Sequence, residues 1–154
     1  MGVKFVEEGS RHITLHFLGA QTDKKIKEIC DLAEKTAKNY SGFELTTGKT
    51  NAFPNKKFPR IIVLGAESRE GEIKKMRAEL GEGLEELGIE IDDRPWEAHI
   101  TLARIKFGKI DFLRLLKEEP DELRWMAESF ELVESELTSD GPEYKIVKKF
   151  QLKF

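Results

Sequence analysis

His12-Ile13-Thr14-Leu15, near the start of the chain, is repeated letter for letter as His99-Ile100-Thr101-Leu102 two-thirds of the way along. Each copy lies in an apolar, β-branched run with the composition of a strand. Side chains alternate across a strand. His12, Thr14 and His16 therefore share one face of the first run, and Ile13, Leu15 and Phe17 the other. In the second run His99 and Thr101 oppose Ile100 and Leu102. The apolar faces are expected to pack on helices and the polar faces to meet in a cleft. Histidine occurs three times in 154 residues, and two of the three stand in this word. That scarcity favours a shared task over two unrelated structural histidines.

Working outward, Val3 to Val6 is a short strand and Glu7 to Ser10 a turn. Thr22 is the N-cap of a helix over 23–38, whose Ile26, Ile29, Cys30, Ala33 and Ala37 form one stripe. Phe43 to Thr46 and Lys49 to Phe53 are short extended pieces around Gly48. Pro54 to Pro59 is a loop, and Arg60 to Leu64 a strand. A second helix covers about 69–87, with Ile73, Met76, Leu80, Leu84 and Leu87 at helical steps and Gly88 past its end. Gly81 and Gly83 inside it each cost roughly 1 kcal/mol against alanine, so tertiary packing must hold it. Ile89 to Ile91 is an edge strand, Asp92 to Pro95 a loop, and Ala98 to Ile105 the second motif strand. A short helix at 111–117 has Asp111 as its N-cap. Phe130 to Leu137 and Tyr144 to Phe154 form a hairpin around Ser139 to Pro142. Each half of this order holds one motif and one helix. The fold expected is α+β and two-lobed, with antiparallel sheets facing a central cleft and helices on the outer faces. Residues 1–154 are expected to make one domain.

The bulk composition bounds the chemistry. With 39% hydrophobic and 36% charged residues the chain is globular. Its net charge of −3 excludes a bulk attraction to long nucleic acid, so an anionic ligand needs a local basic patch. Cys30 is the only cysteine, which excludes an internal disulfide and a cysteine-based zinc site. No apolar run approaches membrane-spanning length, and residues 1–15 lack a signal-peptide core. A reducing, cytoplasmic setting without a membrane partner is expected. Asparagine and glutamine are scarce beside lysine and glutamate, as in thermophile proteins.

Two histidines and two threonines aimed into one cleft suit transfer at phosphorus. One group must take a proton from the attacking oxygen and another must supply one to the leaving oxygen. Imidazole can do either near neutral pH. Threonine hydroxyls two residues on can donate to the non-bridging oxygens, where fixed donors often supply the largest rate term.

These segments carry a family resemblance: VKFVEEGSRHITLHFLG at Val3–Gly19, FPNKKFPRIIVLG at Phe53–Gly65, AHITLARIK at Ala98–Lys106, and LTSDGPEYKIVKKFQL at Leu137–Leu152. The chain resembles the two-histidine phosphoesterases, in the branch of RNA 2′,3′-cyclic phosphodiesterases also called 2′-5′ RNA ligases. The resemblance covers nearly the whole chain. It implies His12 and His99 as the catalytic pair, with Thr14, Thr101 and Arg104 on the substrate phosphate. It implies hydrolysis of a terminal 2′,3′-cyclic phosphate to a 2′-phosphate, with 2′-5′ joining as the reverse reaction. It also implies no metal, no nucleotide cofactor and no obligate protein partner. The substrates would be RNA ends or nucleotides bearing the cyclic phosphate, such as tRNA fragments. Strict alternation puts Arg104 opposite His99, so a twist or bulge is required to bring it round. The family's usual opening strand and helix are missing ahead of His12, and one sheet is expected to show an uncovered edge.

Phe53 to Arg60 interleaves aromatics with cations, which suits stacking on a base beside a phosphate. Phe53 and Arg60 are therefore candidate substrate contacts, weighed evenly against a solvated lysine loop. Trp96 reads as core or rim packing rather than a cleft wall. The basic run of Lys145, Lys148, Lys149 and Lys153 is read as a solvated strand face. His16 stands about 13 Å from His12 on a strand, too far to share a metal ion. It is expected at the cleft edge or in solvent. Two rival readings stand beside the phosphodiesterase: a catalytically weak RNA-end-binding module, and a metal-dependent hydrolase using His12, His16 and His99.

Overall fold

The computed structural model describes residues 2–108 and 120–154; the helix expected at 111–117 lies outside them. The chain forms two compact units, each drawn from three separate stretches. The first comprises Met1–Leu15, Leu45–Arg69 and Pro95–Trp125, and the second His16–Glu44, Glu70–Arg94 and Met126–Phe154. The architecture is α+β with antiparallel sheets, as the motif order predicts.

One sheet is formed by β1 (Gly2–Phe5), β2 (Phe43–Phe53), β3 (Ile61–Ser68), β4 (His99–Phe107) and β5 (Arg124–Ala127), in the order β1-β4-β3-β2-β5. β3 pairs antiparallel with both β2 and β4. One face of this sheet is a core of Ala52, Ile62, Ala103 and Ile105, with Val3 packed against it. Burying an aliphatic side chain of this kind contributes about 1.5–3 kcal/mol, which fixes which face points inward. The two extended pieces expected around Gly48 are one strand. Thr47 pairs with Ala66 and Thr50 with Leu64, so Gly48 and Lys49 bulge opposite the single residue Gly65. β5 carries no sequence signal of its own, because RWMA is too short to show alternation.

The first motif departs from the expected strand. Only Ile13 makes a ladder contact, an isolated antiparallel bridge to Ile100. The physical reason lies just upstream. β1 runs antiparallel to β4 until the Val6 amide donates to the Leu102 carbonyl at 2.8 Å. The chain then leaves through a 3₁₀ turn at Glu8–Ser10 and returns beside Ile100. β1 and the first motif thus flank the same edge of β4, separated by the excursion Glu7–Arg11. Past the bridge the alternation fails: Phe17, expected on the apolar face, is 83% exposed.

The second unit holds α1 (Asp23–Ala37), α2 (Glu72–Glu86) and the ribbon β6 (Ser129–Thr138) with β7 (Gly141–Gln151). The Thr22 hydroxyl accepts from the Lys25 amide, the expected cap. Ile29, Ala33 and Ala37 are buried on the predicted stripe, and α1 packs on α2 and β7. α2 ends at Gly88, whose φ of 81° lets the Ile89 amide turn back to the Leu84 carbonyl at 3.0 Å. This closure uses Ile89 as an apolar plug, 5% exposed, so the edge strand expected at Ile89–Ile91 does not form. Lys25 Nζ donates to the Leu87 carbonyl at 2.7 Å, a cation placed at the helix C-terminus. Gly81 and Gly83 mark the close approach. A Cβ on Gly83 would overlap the Leu32 side chain of α1. The hairpin turns at Ser139-Asp140, and Gly141 and Pro142, expected in the turn, pair within β7. Its ribbon leaves Val133, Ile146 and Val147 exposed.

Candidate active site

The bridge between Ile13 and Ile100 fixes how the two motifs meet. In an antiparallel pair, one step either side of a bridged pair is also opposed. His12 therefore lies opposite Thr101, and Thr14 opposite His99. The two words are related by a local two-fold through the isoleucine pair. Opposed residues share a face, and their Cβ atoms stand about 4.5–5.5 Å apart. His12 and His99 form the diagonal, about 7–8 Å between backbones. Both lie in the first unit, on the face opposite its core.

The two histidines are anchored identically. His12 Nδ1 lies 2.7 Å from the Ser10 carbonyl, and His99 Nδ1 lies 2.9 Å from the Glu97 carbonyl. A carbonyl oxygen only accepts, so Nδ1 carries the proton in each ring. The neutral form then has its lone pair on Nε2, and the cation has N–H there. One anchor serves a base and an acid equally well. Both oxygens are backbone atoms, so the residue types at 10 and 97 carry no signal of this role.

Arg104 is brought round by a bulge. Ile62 pairs with Ala103, yet Val63 pairs with Thr101, which leaves Leu102 as an extra residue on β4. The parity shifts there. Arg104 pairs with Ile61, on the face of Val63 and Gly65, whose partners are Thr101 and His99. Arg104 thus shares the histidine face while Ala103 enters the core, 1% exposed. No glycine or proline announces this bulge.

Phe53 also projects on this face, opposite Ile61. Its ring centroid is 6.0 Å from that of His99, with planes at 58°. Phe53 belongs to the row of Ile61 and Arg104. Phe53 is 46% exposed and precedes a loop tied by Asn55, whose Oδ1 accepts from the Lys57 and Phe58 amides at 3.0 and 2.8 Å. Lys57 Nζ sits 5.7 Å from the Phe58 ring centroid. Arg60 is not brought in with the others. It precedes Ile61, so alternation sets it on the opposite face, exposed at the sheet's rim.

His16 is not a solvent residue. It belongs to the second unit, half-buried, with Nε2 donating to the Arg77 carbonyl at 2.9 Å. Burial holds its pKa below the usual imidazole value, and the Arg77 charge adds to this, against the raising effect of the hydrogen bond. The exposure of Phe17 and the seating of His16 have one origin, the end of regular pairing after Ile13. Among the described residues no group of three His, Cys, Asp or Glu side chains could hold a metal ion. No described helix is long and apolar enough to cross a membrane.

A family model described as the 2′-5′ RNA ligase superfamily matches residues 5–138. The RNA 2′,3′-cyclic phosphodiesterase of Archaeoglobus fulgidus is 33% identical over 153 residues, covering 97% of this chain and 84% of its own. That of Thermus thermophilus is 34% identical over 157 residues, covering 99% and 77%. Among solved structures, the Thermus thermophilus protein TT0787 superposes with a TM-score of 0.86 at 32% identity, over 99% of this chain and 83% of that one. Escherichia coli LigT, crystallised with 3′-AMP, gives 0.74 at 21% identity over 98% and 82%, a likeness of fold.

Proposed function

Because the chain belongs to the 2′-5′ RNA ligase superfamily, we propose that it is an RNA 2′,3′-cyclic phosphodiesterase, opening a terminal cyclic phosphate to a 2′-phosphate. The observation that carries this reading is the Ile13–Ile100 bridge, which sets each motif histidine opposite the other motif's threonine.

The residues act as follows. Neutral Nε2 of one histidine takes a proton from water as its oxygen bonds to phosphorus. The P–O3′ bond breaks, and the Nε2 proton of the other, cationic histidine passes to O3′. The products are a 2′-phosphate and a free 3′-hydroxyl. The Thr14 and Thr101 hydroxyls donate to the non-bridging oxygens as charge builds there. Arg104 supplies a fixed positive charge on the same face, and Phe53 an exposed ring for a base. Arg60, on the far face, adds only to the local positive field. With a 5′-hydroxyl in place of water the same steps join two ends through a 2′-5′ bond. The two units work as one domain, since neither is continuous in sequence. A cytoplasmic site of action follows from an RNA substrate and the single thiol, Cys30.

The test is incubation of an RNA oligomer bearing a 2′,3′-cyclic phosphate in excess chelator. The expected product carries a 2′-phosphate, and His12→Ala and His99→Ala each abolish it. Full activity in both variants, or a 3′-phosphate product, overturns the reading. RNA ends held tightly by the wild type without turnover would identify a binding module instead.

A further inference from the structure

His12 and His99 receive the same anchor from differently supported stretches of chain. The Glu97 carbonyl, which holds His99, comes just ahead of Ala98, whose own carbonyl accepts from the Ala66 amide at 2.9 Å. From His99 onward the strand is laddered to β3, beginning with Gly65. Backbone pairing therefore fixes that anchor. The Ser10 carbonyl, which holds His12, lies instead in the 3₁₀ turn of the Glu7–Arg11 excursion, and the bridge of the first motif comes only at Ile13.

A side chain takes the place of the ladder there. Arg11 Nε donates to the Val6 carbonyl at 3.2 Å. Val6 is where the chain departs from β4, its amide donating to the Leu102 carbonyl at 2.8 Å. The guanidinium thus ties the returning end of the excursion to the departing end, and through it to β4. Next to Arg11 Cα lies the trans peptide Ser10–Arg11. The N–H and C=O of a planar trans peptide point opposite ways. Its N–H donates to the Glu8 carbonyl at 3.2 Å, and its C=O meets the His12 ring at 2.7 Å. We infer that Arg11 is a positioning residue for the reaction: it holds the Ser10–Arg11 peptide so that His12 keeps its proton on Nδ1 and offers Nε2 to the phosphate. This inference rests on the phosphodiesterase reading for its phosphate, and it adds a residue that acts through His12 rather than on the substrate.

The experiment compares the full chain as wild type, Arg11→Ala and Arg11→Gln. Nitrogen NMR of the histidine rings at alkaline pH reads the tautomer of each, and steady-state turnover of an RNA 2′,3′-cyclic phosphate reads kcat and KM. In the wild type both His12 and His99 should carry the proton on Nδ1. In Arg11→Ala the His12 ring should become a mixture of the two tautomers while His99 stays as it was. Its kcat should fall about tenfold, the scale of a small misplacement at the reacting centre, with KM unchanged. Glutamine keeps an N–H donor as many bonds from Cα as Arg11 Nε and removes the charge, so Arg11→Gln should restore both readouts. A His12 ring that keeps its Nδ1 proton in Arg11→Ala, an unchanged kcat, a loss confined to KM, or equal losses in Arg11→Ala and Arg11→Gln each overturn the inference. A wild type that turns over no cyclic phosphate instead defeats the phosphodiesterase reading, while the ring tautomers still decide whether Arg11 positions His12.

Discussion

His12 and His99 turn the same ring nitrogen onto the same backbone position: Nδ1 of each meets the carbonyl two residues behind it, at 2.7 and 2.9 Å. Both rings are thereby fixed in one tautomer before any substrate arrives. In the proposed reaction the protonation state of Nε2 decides which ring acts as base and which as acid.

The first prediction concerns pH. A reaction that needs one neutral and one cationic imidazole has a bell-shaped dependence of kcat/KM on pH. Replacing either histidine should remove one limb and cost on the order of 10²–10⁴-fold in kcat. Steady-state kinetics from acid to alkaline pH, with circular dichroism to confirm folding, checks this. A flat profile in the wild type would rule out paired proton transfer.

The second concerns the bulge at Leu102. If it delivers Arg104 to the histidine face, Arg104→Ala loses a charge-assisted contact worth about 1.5–3 kcal/mol, roughly 10–100-fold in kcat/KM. Arg104→Lys should recover part of it, since lysine keeps the charge without the planar fork. An Arg104→Ala enzyme with wild-type kcat/KM would place the side chain outside the site.

The third concerns His16. Burial lowers its folded pKa below the ordinary value of 6.5. The unfolded chain therefore binds the proton more readily. The stability this residue contributes is present above pH 6.5 and falls as the pH drops from there towards the folded pKa. His16→Gln should remove that part of the acid sensitivity. At neutral pH it should cost about 1–3 kcal/mol through the Arg77 carbonyl contact. Urea unfolding at pH 5 and 7.5 measures both. Equal acid sensitivity in wild type and variant would contradict the assignment.

The fourth concerns the helix pair. A glycine within a helix is normally improved by alanine, by about 1 kcal/mol. At Gly83 the added methyl meets Leu32, so Gly83→Ala should instead destabilise by about 1–3 kcal/mol. In a Leu32→Ala background the ordinary gain should return. A double-mutant cycle from thermal or urea melts reads the coupling, and strict additivity would argue against the close approach.

Much of this is legible in the sequence for identifiable reasons. The α1 stripe and the Thr22 cap are local signals, and each appears where its residues predict. What escapes is non-local. Leu102 becomes a bulge only because of how β3 lies beside it. Phe17 and His16 look like alternating strand positions, yet the ladder that would enforce alternation stops at Ile13. Ile89 reads as strand but is claimed by the cap of α2. Gly81 and Gly83 read as costly, while their reason, contact with Ile91, His16 and Leu32, lies outside their own helix.

The central claim is that two imidazoles serve one phosphate in one reaction. Its most direct test is turnover of an RNA 2′,3′-cyclic phosphate by His12→Ala, His99→Ala and the double variant. Groups that act as a unit lose their effect together, so the double variant should be scarcely slower than the slower single variant. Losses that multiply, or wild-type turnover in either single variant, would contradict it.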